Sequence, residues 1–313
     1  MNVATLDLGT NTILLLIATR DPSGVVRAVH EEMRIVRLGE GVDKTRRFAD
    51  AAIARTLAAI EEFAVIARRF DVRETRAVGT SAMRDAAGGE PIVAAIKREF
   101  GADIAVISGE REASLTFQGA LSGMSLAEDG PVLVFDIGGG STEIVIGHGG
   151  KVHYARSYDL GSVRLTERHV HDDPPSAETL ATLRAAIAAE LDFSDAAFDA
   201  VRGRCPVGIA GTVTTLVAVD RTMEVYDGAK VHGAHFSREA LAATLAQLAA
   251  VDCETRGKIP GLSPKRADVI VAGALLVEAI LDGLGATEMR VGDRAVRRGR
   301  AEAAPSPSRR PSH

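Results

Sequence analysis

The sequence is poor in cysteine and aromatic residues, and it has no excess of positive charge. Cys205 and Cys253 are its only cysteines and form no CxxC pattern, so we expect neither a disulfide scaffold nor a zinc site. This usage fits a reducing cytoplasm. A net charge of −5, no Trp and three Tyr argue against a general nucleic-acid-binding protein. A polyanionic substrate is still possible, because a cleft lined by basic groups can attract it even on a protein that is acidic overall.

Long apolar runs are also missing. The run at 13–17 is much shorter than the roughly 20 residues that a membrane-spanning helix needs. No basic segment precedes an apolar core at the N-terminus, so we expect no secretory signal and no membrane partner. The chain of 313 residues is 46% hydrophobic and 25% charged, which is typical of a globular protein with room for two domains.

Three consecutive glycines interrupt two apolar segments in VLVFDIGGGSTEIVIG, residues 132–147. Glycine weakens a strand, but it lets a ligand approach backbone N–H groups closely. Asp136 precedes the triplet, and Ser141, Thr142 and Glu143 follow it. This order predicts two strands joined by a phosphate-binding loop, with carboxylates placed to hold a metal. A plain β-hairpin whose turn needs glycine is the alternative.

A related segment lies near the N-terminus, where residues 3–17 read VATLDLGTNTILLLI. Aligning Asp7 with Asp136 gives an acid, an apolar residue and a glycine in both copies, followed by a second apolar strand. The offset of 136 − 7 = 129 residues is that of a whole domain, not of a solenoid repeat. We therefore expect two related α/β halves with a nucleotide or phosphate site in the cleft between them.

Strand-like and helix-like segments alternate along the rest of the chain, which predicts mixed α/β sheets with helical cover. Apolar residues at helical spacing predict helices at 49–70 and 176–201, among others. A last strand and a short helix are expected in TEMRVGDRAVRRG. Residues 301–313 contain Pro, Ser and Arg without periodicity, so we predict a disordered tail there.

Six motifs follow one another along residues 3–298: LDLGTNT, VGTSAMRDA, ISGEREA, FDIGGGSTEIVIG, GIAGTVTTL and LSPKRADVIVAGA. Together they resemble the exopolyphosphatase/guanosine pentaphosphate phosphohydrolase (Ppx/GppA) family, in the short form that lacks C-terminal helical domains. The resemblance implies an α/β fold of two actin-like (ribonuclease H-like) domains. Each is a mixed sheet with flanking helices, and the active site lies in the interdomain cleft. We expect domain I at 1–125 and domain II at 126–300, with the last short helix returning to domain I.

The resemblance implies hydrolysis of the terminal phosphoanhydride of inorganic polyphosphate, with Mg²⁺ or Mn²⁺ and release of orthophosphate. Guanosine pentaphosphate 5′-phosphohydrolase is the alternative, and the scarcity of aromatic residues for stacking guanine tilts the prediction toward polyphosphate. A non-catalytic nucleotide or phosphate sensor of the same fold is a third hypothesis. The family also leaves room for a monovalent cation such as K⁺ and for a homodimer.

The matching motifs imply roles for single residues. Glu112 matches the general base that activates the attacking water, although an acid at a helix start is also a common structural feature. Glu110 is the competing candidate. Arg84 matches an arginine that contacts a phosphate, and a surface pair with Asp85 is its alternative role.

The metal and the phosphates are expected to bind loops from both halves. Asp136 and Glu143 match metal ligands, and Asp7 matches an acid that assists through metal-bound water. The expected phosphate-binding residues are Gly9, Thr10, Asn11, Thr12, Gly138, Gly139, Gly140, Ser141, Gly208, Gly211 and Thr212. Three further arginines are candidates for the path of a longer substrate chain: Arg37, Arg164 and Arg266.

Overall fold

The computed structural model describes residues 1–20, 26–121 and 130–293. The strands in these ranges are β1 (Asn2–Leu8), β2 (Thr12–Arg20), β3 (Val26–Ile35), β4 (Val72–Gly79), β5 (Ile104–Val106), β6 (Val132–Ile137), β7 (Thr142–His148), β8 (Lys151–Tyr158), β9 (Val207–Ile209), β10 (His235–Ser237) and β11 (Glu288–Gly292). The α-helices in the same ranges are α1 (Val42–Thr45), α2 (Asp50–Arg69), α3 (Ser81–Asp85), α4 (Glu90–Phe100), α5 (Gly109–Leu121), α6 (Ser162–His169), α7 (Ala177–Glu190), α8 (Ala210–Asp220), α9 (Gly228–Val231), α10 (Arg238–Ala249), α11 (Cys253–Arg256) and α12 (Ile270–Leu284).

The strands form two mixed sheets. The N-terminal sheet has the order β3-β2-β1-β4-β5, and the C-terminal sheet has the order β10-β11-β9-β6-β7-β8. In each sheet an antiparallel hairpin, β1–β2 or β6–β7, lies beside a parallel strand, β4 or β9. This shared order confirms the predicted fold class of two related α/β halves.

The two hairpins also share their register. Asp7 lies opposite Leu14 in the first hairpin, and Asp136 lies opposite Glu143 in the second. The offset is the same for both pairs, because 7 + 129 = 136 and 14 + 129 = 143. The repeat inferred from the sequence is therefore a repeat of strand pairing as well.

The helix predicted at 49–70 is α2, whereas the one predicted at 176–201 divides in two. α7 ends at Glu190, and a 3₁₀ turn follows at Ala196–Ala200. Asp192 and Asp195 lie in or next to the interruption, and each carboxylate accepts a 2.8 Å hydrogen bond from a backbone N–H two residues later. Such side-chain bonds compete with helical ones, which explains why the helix stops.

Each sheet has its own apolar core, and a third cluster fixes α5. The largest cluster joins the C-terminal sheet to α8, α10 and α12, while α2 and α4 pack on the N-terminal sheet. Ala113 and Phe117 of α5 pack with Val134 and Val145 of β6 and β7. The first turn of α5 is thereby held against the second hairpin.

Several predictions fall outside the described residues. These are the tail at 301–313, the short helix after β11 and the domain boundary at 125/126, which all stay predictions. Within the described ranges, no helix has both the length and the apolar content to cross a membrane.

Candidate active site

The loops of the two hairpins face each other and close in the same way. Gly9 N–H donates to the carbonyl of Thr12, and Gly138 N–H donates to the carbonyl of Ser141, both at 2.9 Å. The two phosphate-loop candidates identified from the sequence are therefore equivalent turns on opposite sides of one cleft.

The glycine triplet is required by close approach between the loops. A Cβ on Gly140 would stand 2.6 Å from Ser81 Oγ and 2.7 Å from Thr10 Oγ1. A Cβ on Gly139 would lie 3.2 Å from Thr10 Cβ. None of the three glycines has a positive φ, so their conformational freedom is not the reason for the triplet. A larger residue would force the two loops apart.

A cavity of about 100 Å³ lies between the loops. A water occupies roughly 30 Å³ of liquid, so this space is of the order of one phosphate group with little else. Most of the predicted site residues line it: Asp7, Gly9, Thr10, Asn11, Thr12, Glu112, Asp136, Gly138, Gly139, Gly140, Ser141, Glu143, Gly211 and Thr212. Arg84 and Gly208 do not.

Glu112 lies in the first turn of α5 and is only 5% exposed. Burial raises the pKa of Glu112 to about 7, with help from the nearby charge of Asp136 and against the opposing effect of Arg84. A carboxylate with a pKa near neutrality can accept a proton from water and release it again. Glu110 is exposed and does not line the cavity, so the geometry favours Glu112 over it.

Arg84 is hydrogen-bonded to Glu112. Its Nη1 donates to Glu112 Oε2 at 2.9 Å and to the carbonyl of Ile107 at 2.8 Å. The alternative surface pair with Asp85 is not formed, because Asp85 pairs with Arg164 at 2.6 Å. Arg84 therefore holds the carboxylate of Glu112 in this structure, and it is not among the residues that line the cavity. Its expected contact with a phosphate stays a prediction.

The expected metal ligands are buried acids. Asp136 and Glu143 are 4% and 1% exposed, and Ser157 Oγ donates to Glu143 Oε1 at 2.7 Å. Burial raises the pKa of Asp136 well above its ordinary range, and repulsion by Glu143 adds to this. Burial, then repulsion by Glu112, raises the pKa of Glu143 to about 8. A divalent cation would offset this concentration of negative charge.

The donor set fits Mg²⁺ or Mn²⁺. Asp7 reaches the same cavity from the first hairpin and is 6% exposed. Among the described residues, the acids of the cavity do not bring three ligand oxygens within 4.8 Å of one another. Mg²⁺ commonly binds one or two carboxylates and completes its shell with water and substrate phosphates. The site can hold such an ion.

One hydroxyl in the loops has no partner within the described part of the chain. Thr10 Oγ1 is buried there and makes no hydrogen bond. Leaving a buried hydroxyl unsatisfied costs about 1–3 kcal/mol, which a phosphate oxygen would recover by accepting its hydrogen. The hydroxyls of Thr212 and Ser162 instead donate to the carbonyls of Ile137 and Gly138.

The segment 208–212, which joins β9 to α8, contains the remaining predicted phosphate-binding residues, and only part of it lines the cavity. Gly208, expected to bind phosphate, lies inside β9, where a Cβ would be 2.7 Å from Phe135 Cζ and 2.9 Å from Val213 Cγ1. It serves core packing. Gly211 does line the cavity at the start of α8, where helical N–H groups favour an anion. Ala210, next to it, has the left-handed φ of 69°.

Arg266 separates this cavity from a second one of about 460 Å³, and both cavities are lined by it. Its Nη2 lies 3.9 Å from Met33 Sδ, and among the described residues its guanidinium forms no ion pair with a carboxylate. Burial lowers the pKa of Arg266 to about 10, so the guanidinium is charged at neutral pH. A cation in this position can bind an anion that passes between the cavities.

The second cavity is more apolar than the first, and the sequence did not indicate it. Its walls include Leu14, Met33, Met223, Tyr226 and Leu262. Leu14 lies in the first hairpin and Leu262 begins the last motif, whereas Met33, Met223 and Tyr226 belong to none of the six motifs. Only the folded chain identifies the five as neighbours.

The other two candidate arginines are occupied by ion pairs. Arg37 pairs with Asp268 at 2.7 Å. Arg164 is buried and pairs with Asp43 at 2.5 Å and with Asp85 at 2.6 Å. Because α6 carries Arg164 while its partners lie on or beside α1 and α3, these pairs join the two halves of the molecule.

Comparison with known proteins gives a consistent result. The model of the Ppx/GppA phosphatase family matches residues 16–301. Exopolyphosphatase 2 of Mycobacterium tuberculosis is 39% identical over 286 residues, which cover 89% of each chain. The crystal structure of an exopolyphosphatase from Cytophaga hutchinsonii superposes with a TM-score of 0.86 at 28% identity, over 96% of each chain. The crystal structure of the Aquifex aeolicus member of the Ppx/GppA family has a TM-score of 0.77 at 30% identity, over 97% of each chain.

Proposed function

Because the chain belongs to the Ppx/GppA phosphatase family, we propose that it is an exopolyphosphatase, which hydrolyses the terminal phosphoanhydride of inorganic polyphosphate and releases orthophosphate. The observation that supports this most directly is the convergence of Glu112, Asp136 and Glu143 on a phosphate-sized cavity between two glycine-containing loops. The relative named exopolyphosphatase 2 supports the same substrate class.

Glu112 is the general base of this reaction. It takes a proton from the water that attacks the terminal phosphorus in line with the leaving oxygen. Its pKa of about 7 suits this task, because a base works best when its pKa is near the working pH. Arg84 is a positioning residue that holds the carboxylate of Glu112 through the 2.9 Å pair.

The loops bind and orient the terminal phosphate. The Thr10 hydroxyl donates one hydrogen bond, and backbone N–H groups of both loops and of the α8 start donate others. Asp136 and Glu143 would hold Mg²⁺ or Mn²⁺, with Asp7 assisting through water. When bound, the divalent ion would supply positive charge that stabilises the phosphate oxygens. A monovalent cation and a homodimer stay predictions.

The first test is release of orthophosphate from short-chain polyphosphate in the presence of Mg²⁺. We expect Glu112→Gln to lower kcat by about 10²–10⁴-fold, the range for loss of a general base. Glu110→Gln is the matched control, since Glu110 lies two residues earlier and is exposed. Equal losses of kcat in both variants would show that Glu112 is not the general base. Binding of polyphosphate without any release by the unmodified protein would instead favour the sensor hypothesis.

The second cavity favours guanosine pentaphosphate as a second candidate substrate. It adjoins the phosphate cavity at Arg266, and it has apolar walls with Tyr226 at its edge. A nucleoside needs such a wall, and a bare polyphosphate does not.

A parallel assay with guanosine pentaphosphate separates the two substrates. If the nucleoside occupies the second cavity, Tyr226→Ala and Leu262→Ala should raise KM for the nucleotide and leave KM for polyphosphate unchanged. An equal change for both substrates would exclude a nucleoside-specific role for this cavity.

A further inference from the structure

Three side chains of metal-ligating type meet at the far edge of the C-terminal sheet, away from the phosphate loops. His235 lies on β10, Glu288 on the neighbouring strand β11, and Cys205 just before the next strand, β9. The intervening residues Phe236 and Met289 point to the opposite face and are buried in the core. Because side chains alternate between faces, His235 and Glu288 share the outer face of the sheet.

The ligand atoms are already close together. His235 Nδ1 lies 3.1 Å from Glu288 Oε2, and one ligand atom of each of the three residues lies within 4.8 Å of the others. Tetrahedral Zn²⁺ with bonds of about 2.0–2.3 Å places its ligand atoms about 3.3–3.8 Å apart. A small inward movement of the Cys205 side chain therefore completes the geometry. In the described residues this is the one cluster of three such groups at this spacing.

We propose that Cys205, His235 and Glu288 form a binding site for Zn²⁺ that is separate from the catalytic cavity. A thiolate and an imidazole select Zn²⁺ over the hard ion Mg²⁺, which prefers oxygen ligands. Three protein ligands leave a fourth position for water. None of the three residues lines the catalytic cavity.

Arg290 opposes metal binding. Its Nε donates to His235 Nε2 at 3.3 Å, so the neutral ring carries its proton on Nδ1, which faces Glu288. Zinc at Nδ1 moves that proton to Nε2, and Arg290 must then leave the ring. The Cys205 thiol also loses its proton to solvent when it binds the metal. Binding should therefore strengthen when Arg290 is removed.

The expected consequence is stabilisation of the sheet edge. The metal would join three neighbouring strands, and a ligand that binds only the folded chain raises its melting temperature. β9 leads into Ala210 and Gly211 at the phosphate cavity, while the residue after β11, Asp293, lines the second cavity. The site lies at the opposite ends of these two strands.

Titration of the full chain with Co²⁺ tests the proposal. The protein is first freed of metal and kept reduced with a phosphine, and Mg²⁺ is present throughout. We expect one equivalent of Co²⁺ to give a thiolate charge-transfer band, which one equivalent of Zn²⁺ abolishes. Cys205→Ser should remove the band, and His235→Ala and Glu288→Gln should weaken binding at least about tenfold. Arg290→Gln should strengthen it.

Cys253→Ser is the matched control, because the chain has only two cysteines. It should bind as the unmodified protein does, and Zn²⁺ should raise the melting temperature of both. A band that survives Cys205→Ser or disappears in Cys253→Ser would overturn the proposal. Absence of a band in the unmodified protein would do the same. Glu288→Gln changes a partly exposed side chain and keeps the test valid if a cysteine variant folds poorly.

Discussion

The two hairpins at the cavity have the same pairing and the same loop closure, yet they carry different chemistry. The second hairpin places an acid on each strand, Asp136 and Glu143, where the first has Asp7 and Leu14. The first loop supplies the unsatisfied hydroxyl of Thr10, whereas the second has glycines that let the loops meet. The repeat thus provides two hairpins of the same geometry. In the proposed mechanism the first loop binds phosphate through Thr10, and the second hairpin carries the acids that would hold the metal.

The helices attached to the hairpins extend this difference. α5 packs on the second hairpin and brings Glu112 next to Asp136, which adds to the charge on that side. Three buried acids in one place destabilise the metal-free fold, and this cost is what a bound cation can offset. The first hairpin, with one acid, has no comparable cluster.

The largest effect is expected from making the second hairpin resemble the first. Glu143→Leu reproduces the Asp–Leu pair of the first hairpin, and we expect kcat to fall by about 10³-fold because metal binding is lost. The metal-free protein should nevertheless become more stable, since burial disfavours the Glu143 carboxylate, as its raised pKa indicates, and leucine is an apolar group of similar size. Kinetics with polyphosphate and urea unfolding measure the two effects. Loss of both activity and stability would show that Glu143 supports the fold instead.

Glycine substitutions test the close approach of the loops. We expect Gly140→Ala to lower kcat by about 10²-fold, since its Cβ would meet two oxygens at 2.6 and 2.7 Å and displace the loops. Gly9→Ala is the matched control in the first loop, where the nearest atom to the new Cβ, Thr12 O, is 3.1 Å away. It should cost less than tenfold. Equal losses of kcat in the two variants would mean that the close contact between the loops is not what activity depends on.

Much of this comparison could be predicted from sequence, because motifs record local chemistry. The hairpins, the offset and the acids at 7, 136 and 143 all follow from the order of residues along one strand pair. The packing of Gly208 against Phe135 and the pairing of Arg84 with Glu112 do not. They depend on which distant elements lie next to each other, which spacing does not encode. The proposed zinc ligands could not be predicted for the same reason, since two strands and a residue just before a third supply them.

The acidic side of the cavity should make stability depend on pH. The folded-state pKa values of Glu112 and Glu143, about 7 and about 8, lie above their ordinary value of 4.5. The folded metal-free protein therefore holds protons more tightly than the unfolded chain. The contribution of these two acids to stability should be complete at and below about pH 4.5 and be lost as pH rises through 7 and 8.

Urea unfolding at a series of pH values measures this slope. Saturating Mg²⁺ should flatten it, because bound carboxylates stay ionised in the folded state. Glu143→Leu should also reduce it, whereas Asp7→Asn, a change in the first hairpin, should leave most of it. A slope of the opposite sign would contradict the raised pKa values.

The smallest effect, a change in stability, is expected at the N-terminal ends of α3 and α8. Ala210, at the start of α8, has a φ of 69°, a left-handed conformation that costs a residue with a Cβ about 1–2 kcal/mol. Thr80, which directly precedes α3 in the other half, has a φ of −113°. Ala210→Gly should therefore stabilise the protein by about 1 kcal/mol, and Thr80→Gly should destabilise it by a similar amount. Urea unfolding of both variants measures these changes in the free energy of unfolding. If Ala210→Gly does not raise it, the left-handed backbone at Ala210 is not strained.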